Sequence, residues 1–461
     1  MTLGRKKQQL DILHGPIWNK LPMFAFPVAA TAVLEQLFNA SDIAVVGNFT
    51  GSLKTVAVAA VGANSSIISL IVTLFVGIAL GTNVVIANAI GRDDKDAVQK
   101  AVHTSIVISL LGGLLVAILG EFIAEPLLRS LYVPDDVFPL TLLYLRIYLL
   151  GMPVILLYNF EAAIFRSVGE TKTPLMALTV SGILNVLLNL FFVAVLHMTV
   201  NGVAIATVIS NAVSSLLLFR RLIMTQQYIH VDCHALRIDR TILLQIMKIG
   251  LPAGIQSAVF SVANIVVQSA INSLGTTVIA ASSAAYNIEI CAYYILNSFS
   301  QACTTFVGQN FGAGQLKRCQ KTLALCLVED LIASAAAIAL ILFTGKHLLA
   351  VFNSDPAVIE IGYTRLMVIF SAYAFSMLYD VMSGYLRGFG ISLVPAILTT
   401  VGVCGIRFAW IHFVFPQSRT FVTIMAVYPV SLSVTALLIF IALLYYRPSR
   451  RFSKLQKEQK S

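Results

Sequence analysis

Charge is scarce in this sequence. Asp, Glu, Lys and Arg make up 11% of its 461 residues, where a soluble domain carries roughly 25%, and 58% of the chain is hydrophobic. That balance argues against a soluble fold. Paired cysteines are missing too: Cys233, Cys291, Cys303, Cys319, Cys326 and Cys404 form no CxxC, and all but Cys233 lie in or beside apolar stretches. They read as small apolar residues, not as a disulfide framework or a metal site. No HExxH, GxSxG or GxxxxGK[ST] occurs, which removes the common signatures of an enzyme. Asp94-Lys95-Asp96 matches the bare DxD pattern of some glycosyltransferases, but in a short mixed-charge turn. No apolar stretch precedes residue 22; Arg5, Lys6 and Lys7 are followed by mostly polar residues as far as Lys20, so no cleavable signal peptide is expected.

Apolar segments are what the chain has in abundance. They run at about 22–48, 56–88, 102–124, 137–163, 175–196, 203–222, 249–273, 278–308, 322–344, 358–385, 393–415 and 421–446, each long enough for a helix to cross about 30 Å of hydrocarbon. The expected fold is an all-α polytopic membrane protein of twelve transmembrane helices. Basic residues recur in alternate connections, among them Arg92, Lys95 and Lys100, then Arg220 to Lys248, then Lys317, Arg318 and Lys321. By the positive-inside rule both termini are expected in the cytoplasm, in a multi-pass protein of the cell membrane. The net charge of +10 is spread between and beyond the spans, so the expected partner is the lipid bilayer and not nucleic acid. The expected domain plan is an N-lobe over 1–222, a cytoplasmic linker over 223–248, a C-lobe over 249–446 and a basic tail over 447–461.

The two halves repeat. Arg166 and Arg387, Gly169 and Gly390, and Pro174 and Pro395 are each 221 apart (387 − 166, for example). Ala59/Ala280, Gly91/Gly312, Gln99/Gln320, Lys100/Lys321 and Tyr158/Tyr379 share that offset, whereas Pro27 pairs with Pro252 at 225. Six spans is an even number, so both halves begin on the same side and the repeats are parallel. Duplications of this kind build transporters, with substrate expected between the lobes near mid-membrane.

Ionisable residues at membrane depth are costly and usually face a cavity or a partner. Glu35, Gln36, Asn39 and Asp42 give the first span a polar stripe at helical spacing. Counting about 1.5 Å of rise per residue, Asp42, Asn185, Asn189 and Thr207 fall at one level in the outer half of the N-lobe. A single carboxylate with amide and hydroxyl oxygens is suited to a hard cation such as Na⁺ or to a proton; the alternative is an interhelical network that only packs helices. Glu35 and Glu289 fall near the midplane, Glu289 with Tyr293 and Tyr294 beside it, and Asp380 lies nearer the cytoplasm. Carboxylates with aromatic faces suit organic cations. Pairing of Glu289 or Asp380 with a basic group explains them equally well. Glu329 and Asp330 are expected to pair with loop charges. Pro27 and Pro252 sit near the start of each half's first span, where a missing hydrogen bond permits a kink.

These motifs together resemble the multidrug and toxic compound extrusion (MATE) family over nearly the whole chain. The matching runs are Pro27 followed by Ser41 to Gly47, Arg166 to Pro174, Asn201 to Thr207, Gly308 to Ala313, and Leu386-Arg387-Gly388. The resemblance implies two six-helix lobes forming a V and no cofactor. It also implies antiport of drug-like, often cationic or amphipathic, small molecules against H⁺ or Na⁺, with the monomer as the working unit. It makes Asp42 the cation-coupling residue, with Asn185, Asn189 and Thr207 completing its site. Some members carry an aspartate where this chain has Asn189, which leaves the coupling ion open. Members of one branch place a glutamate about eight residues after the proline matching Pro252. Here that stretch reads Ala258-Val259-Phe260-Ser261, which leans towards the DinF-type branch. A lipid-linked precursor flippase of the same superfamily and a membrane-embedded enzyme are the competing readings.

Overall fold

The computed structural model describes residues 10–131 and 133–452; the basic residues Arg5, Lys6 and Lys7 and the tail beyond 452 lie outside them. Hydrocarbon holds no water to satisfy a bare N–H or C=O, so an apolar chain closes its hydrogen bonds within each segment as helix. Twelve helical rods result. They are α1 (Lys20–Phe49), α2 (Lys54–Gly91), α3 (Lys95–Ser130), α4 (Phe138–Leu150 and Met152–Ser167), α5 (Lys172–Val195) and α6 (Val200–Met224). The second six are α7 (Arg240–Asn272), α8 (Thr276–Gly312), α9 (Leu316–Phe352), α10 (Pro356–Ser371 and Tyr373–Gly388), α11 (Leu393–Gln417) and α12 (Phe421–Met425 and Val427–Tyr446). Among the described residues nine helices are long and apolar enough to cross a membrane, or eleven when each bent pair counts as one span. The remaining rod, α8, is 37 residues long and is kept less apolar by its many Ser, Thr, Asn and Gln residues.

Among the described residues two spans are broken by a sharp bend, and neither break is at Pro27 or Pro252. Pro27 and Pro252 sit inside continuous helices, whereas α4 breaks by 51° at Gly151 and α10 by 47° at Ala372. In α4, Pro153 removes a backbone donor next to the break; no proline accompanies the break in α10.

The repeat seen in the sequence is a repeat of structure. The two breaks are 221 residues apart (372 − 151), as are the starts of α5 and α11 (393 − 172) and of α6 and α12 (421 − 200). The helix caps coincide as well. After α4, Gly169 at φ +79° donates to the Arg166 carbonyl at 2.9 Å and Glu170 to the Phe165 carbonyl at 3.0 Å. After α10, Gly390 at φ +81° donates to Arg387 at 2.7 Å and Ile391 to Leu386 at 3.0 Å. This is the double-bonded glycine cap that satisfies the last carbonyls of a helix.

The chain divides into two compact units. One takes in Ala30–Ile90 and Asp94–Gly250; the other takes in Asp11–Ala29, Gly91–Asp93 and the chain from Leu251 onward. This differs from the expected 1–222 and 249–446 in the short turn Gly91–Asp93 and in two longer stretches. Residues Asp11–Ala29 belong to the second unit: Ile12, Ile17, Leu21 and Phe24 are buried, Phe24 meets Phe306 edge-on at 5.8 Å, and Arg318 donates to the carbonyls of Gly15 and Ile12, both at 2.9 Å. The expected linker 223–248 is not a free tether either. Ile229 and Val231 are buried, Asp232 N–H donates to His103 Nε2 at 3.2 Å and Asp239 N–H to Thr104 Oγ1 at 3.0 Å. Asp239 then caps α7 by accepting from Ile242 N–H at 3.0 Å, so the last part of that segment is already helix.

The glycine caps set a stability test. Gly390→Ala forces a Cβ into the left-handed region at a cost of about 1 kcal/mol, and a lower melting temperature in detergent is expected. Gly62→Ala, in a helix interior where a Cβ meets nothing within 4 Å, is expected to leave it unchanged or raise it slightly.

Candidate cation site

The packing of α1 on α5 begins at Gly182. A Cβ there would lie 1.8 Å from the Phe38 ring, so the missing side chain is what lets Phe38 of α1 seat on the α5 backbone. Asp42 is four residues after Phe38, and Asn185 and Asn189 are three and seven after Gly182, on the same helical faces as this contact. α6 brings Thr207 from the other side. Asp42, Asn185, Asn189 and Thr207 are all buried.

The four residues join in one hydrogen-bond cluster. Asn189 Nδ2 donates to Asp42 Oδ1 at 2.5 Å and to Asn185 Oδ1 at 3.2 Å. Thr207 Oγ1 donates to Asp42 Oδ2 at 3.2 Å, and Asn185 Nδ2 approaches Thr207 Oγ1 at 3.4 Å. Thr207 Oγ1 also lies 3.0 Å from the Val203 carbonyl. A hydroxyl has one proton, so it serves Asp42 or Val203 but not both. Asn189 Oδ1 is buried with no hydrogen-bond partner among the described residues. Directly after Asn189 the helix widens into a π turn, Leu190–Val195, a feature frequent where helices carry function.

Among the described residues Asp42 has no basic ion-pair partner. A buried carboxylate in that position costs several kcal/mol unless a positive charge joins it. The cluster offers a carboxylate, amide oxygens and a hydroxyl, which suits a proton or a hard cation such as Na⁺ and not a soft metal. Tyr144 and Tyr148 of α4, stacked at 6.2 Å, are within electrostatic reach of Asp42. Sequence reading missed both, although their i,i+4 spacing on a span was visible.

The other carboxylates are placed differently. Glu35 and Asn39 are exposed on α1 and Gln36 is half-buried; Glu35 interacts electrostatically with Arg166. Glu161, which sequence reading also missed, is buried and accepts from Ser215 Oγ at 2.9 Å. In the second unit Glu289 is an ion-pair partner. Arg365 Nη2 and Nε donate to Glu289 Oε2 at 2.9 and 3.1 Å, and Arg365 Nη1 donates to Ser282 Oγ at 2.6 Å. Of the two readings left open for Glu289, the structure displays the pairing. Tyr293 is half-buried with its ring 6.4 Å from Tyr294. Asp380 is buried, its Oδ2 has no hydrogen-bond partner among the described residues, and its charge interacts with Arg387, which donates to Gln256 Oε1 at 2.8 Å. Asp330 bonds Ser334 at 2.8 Å and is buried, away from the loop charges expected to meet it.

Comparison with known proteins follows the same halves. A family model described as MatE matches residues 27–191 and 252–411, two stretches that begin at Pro27 and Pro252. The chain is 25% identical over 438 residues to the probable multidrug resistance protein YoeA of Bacillus subtilis (strain 168), covering 92% of this chain and 93% of that one. It is 27% identical over 400 residues to the probable multidrug resistance protein YpnP of the same organism, covering 86% and 88%. Among solved structures it superposes with a TM-score of 0.87 and 22% identity, over 98% of this chain and 100% of the other, on one described as the outward-facing conformation of a multidrug resistance MATE family transporter of the MOP superfamily. At that identity the likeness concerns the fold.

The ion pair in the second unit yields a prediction. Glu289→Gln leaves Arg365 buried without its carboxylate and is expected to destabilise the protein by about 3 kcal/mol, whereas the double change Glu289→Leu with Arg365→Met restores most of the loss. Thermal unfolding in detergent measures both; equal destabilisation by the single and double variants would contradict the pairing.

Proposed function

Because this chain belongs to the MatE family, a family of membrane transporters and not of enzymes, we propose that it is an efflux antiporter that exchanges H⁺ or Na⁺ at Asp42 for drug-like small molecules. The observation that carries the reading is the buried Asp42 carboxylate, held by Asn189 and Thr207 and lacking a basic partner among the described residues. The multidrug names of its relatives support the substrate class.

The cluster supplies two states with different hydrogen bonds. Without a cation, Asp42 accepts hydrogen bonds from the Asn189 amide and the Thr207 hydroxyl. A bound Na⁺ repels those donors, turns the partnerless Asn189 Oδ1 inward and recruits Asn185 Oδ1, drawing α5 and α6 onto α1. A proton instead removes one acceptor oxygen from the carboxylate and releases a donor. Either event favours one helix arrangement over the other only by its differential affinity for the two. That difference is how an ion gradient drives substrate outward by alternating access.

Two measurements check the reading. In proteoliposomes, Asp42→Asn is expected to reduce gradient-driven efflux to the level of empty vesicles while the protein still folds; undiminished efflux would falsify the assignment. Imposing a pH gradient or a Na⁺ gradient on the same vesicles identifies the ion. For topology, the exposed Cys233 lies in the connection between α6 and α7, whereas Cys303, Cys319, Cys326 and Cys404 are buried. A membrane-impermeant maleimide is expected to label Cys233 in inside-out vesicles and not in intact cells, as cytoplasmic termini require.

A further inference from the structure

The second unit carries, on the repeat counterparts of the same three helices, a cluster of a different kind. The cation cluster of the first unit draws on α1, α5 and α6. Their counterparts by repeat are α7, α11 and α12, and there Arg407 of α11 lies fully buried at 2% exposure. Its Nη1 donates to Asn264 Oδ1 of α7 at 2.7 Å. Its guanidinium carbon lies 4.5 Å from the centre of the Tyr428 ring of α12 and 5.0 Å from that of Phe260 of α7, distances at which an aromatic face attracts a cation. Its Nε is buried without a hydrogen-bond partner, and among the described residues no carboxylate forms an ion pair with it.

The positions correspond residue by residue. Tyr428 stands at the place of Thr207 (428 − 207 = 221), and Asn264, Phe260 and Val267 stand at the places of Asn39, Glu35 and Asp42 (each 225 apart). Arg407 is 222 after Asn185, one more than the repeat offset, and the π turn Thr400–Gly405 ends two residues before it. A π turn accommodates one extra residue without ending the helix, so it returns Arg407 to the helical phase of Asn185. Where the first unit has a carboxylate and amides around a place for a mobile cation, the second has Val267, two aromatic rings and a cation of its own.

We propose that Arg407 is a tethered internal cation, a positioning residue that holds α7, α11 and α12 together permanently as the exchangeable cation holds α1, α5 and α6 transiently. The second unit is thereby independent of ions, and one cation moves per transport cycle, at Asp42. The guanidinium is bonded to the chain, so this cation is not exchanged with the solvent. The inference rests on the assignment of ion exchange to Asp42.

Chemical rescue tests it. Arg407→Met keeps the volume and removes the charge; gradient-driven efflux is expected to fall on the order of tenfold, while Arg407→Lys retains most of it. In Arg407→Ala, millimolar guanidinium is expected to restore efflux and to raise the melting temperature by a few degrees, as a ligand that binds only the folded state does, where sodium chloride at equal ionic strength does neither. Wild type should show no such response. Efflux by Arg407→Met equal to wild type, or an Arg407→Ala protein indifferent to guanidinium in both readouts, overturns the proposal. Asp42→Asn is measured alongside: if it exports normally, the coupling assignment fails whatever Arg407 does. If it uncouples while Arg407→Met exports normally, only the tethered-cation inference fails.

Discussion

A charged carboxylate enclosed among apolar helices is stabilised by a positive charge, and the contrast between Glu289 and Asp42 in this respect organises the reading of this protein. Glu289 is neutralised within the fold by Arg365, at 2.9 Å. Asp42 has only amide and hydroxyl donors. Such donors soften the desolvation of a charge without cancelling it, and that shortfall is what supports the proposed cation site at Asp42. Everything around Asp42 serves that arrangement: Gly182 admits Phe38 and brings α1 onto α5, the i,i+4 pair Asn185 and Asn189 lines one face, and the π turn begins at Leu190.

The duplication makes the contrast informative. The starts of α3 and α9, α5 and α11, and α6 and α12, the bends at Gly151 and Ala372, and the glycine caps at Gly169 and Gly390 keep the 221-residue offset. Those features answer to the bilayer, which demands that every backbone group be satisfied in both halves alike. Side chains facing the helix junctions are under no such common demand. There the halves diverge, with Asp42 and Thr207 in one and Val267 and Tyr428 in the other, and with the guanidinium of Arg407 in the second junction.

Much of this was legible before any coordinates. Twelve apolar segments of span length correspond to twelve helical rods, and the meeting of Asp42, Asn185, Asn189 and Thr207 followed from counting rise per residue along antiparallel spans. Other features were not legible. Pro27 and Pro252 were read as places where a kink is permitted; the helices that carry them run unbroken, and the two breaks lie at Gly151 and Ala372. The segment 223–248 was expected to be a linker because it is polar, yet Ile229 and Val231 anchor it; two apolar residues in a polar stretch are too weak a signal to read locally. Arg365 and Arg407 went unnoticed although both lie inside apolar segments, because the neighbours that hold them, Glu289, Asn264 and two aromatic rings, come from helices distant in the chain.

The sequence by itself determined the quantities that depend on neighbours along the chain: how many helices, their length, the caps that end them and the repeat that relates them. Local hydrogen bonding and hydrophobicity suffice for these. Only the tertiary structure decided which buried charges are matched by another charge: Glu289 meets Arg365 across 76 residues, whereas among the described residues Asp42 meets amide and hydroxyl donors and no basic group. Counting along the chain places residues at one level but does not reveal whether a carboxylate has a basic partner, because that depends on how side chains of distant helices pack, and that difference separates the ion pair of Glu289 from Asp42, the residue proposed to take a cation.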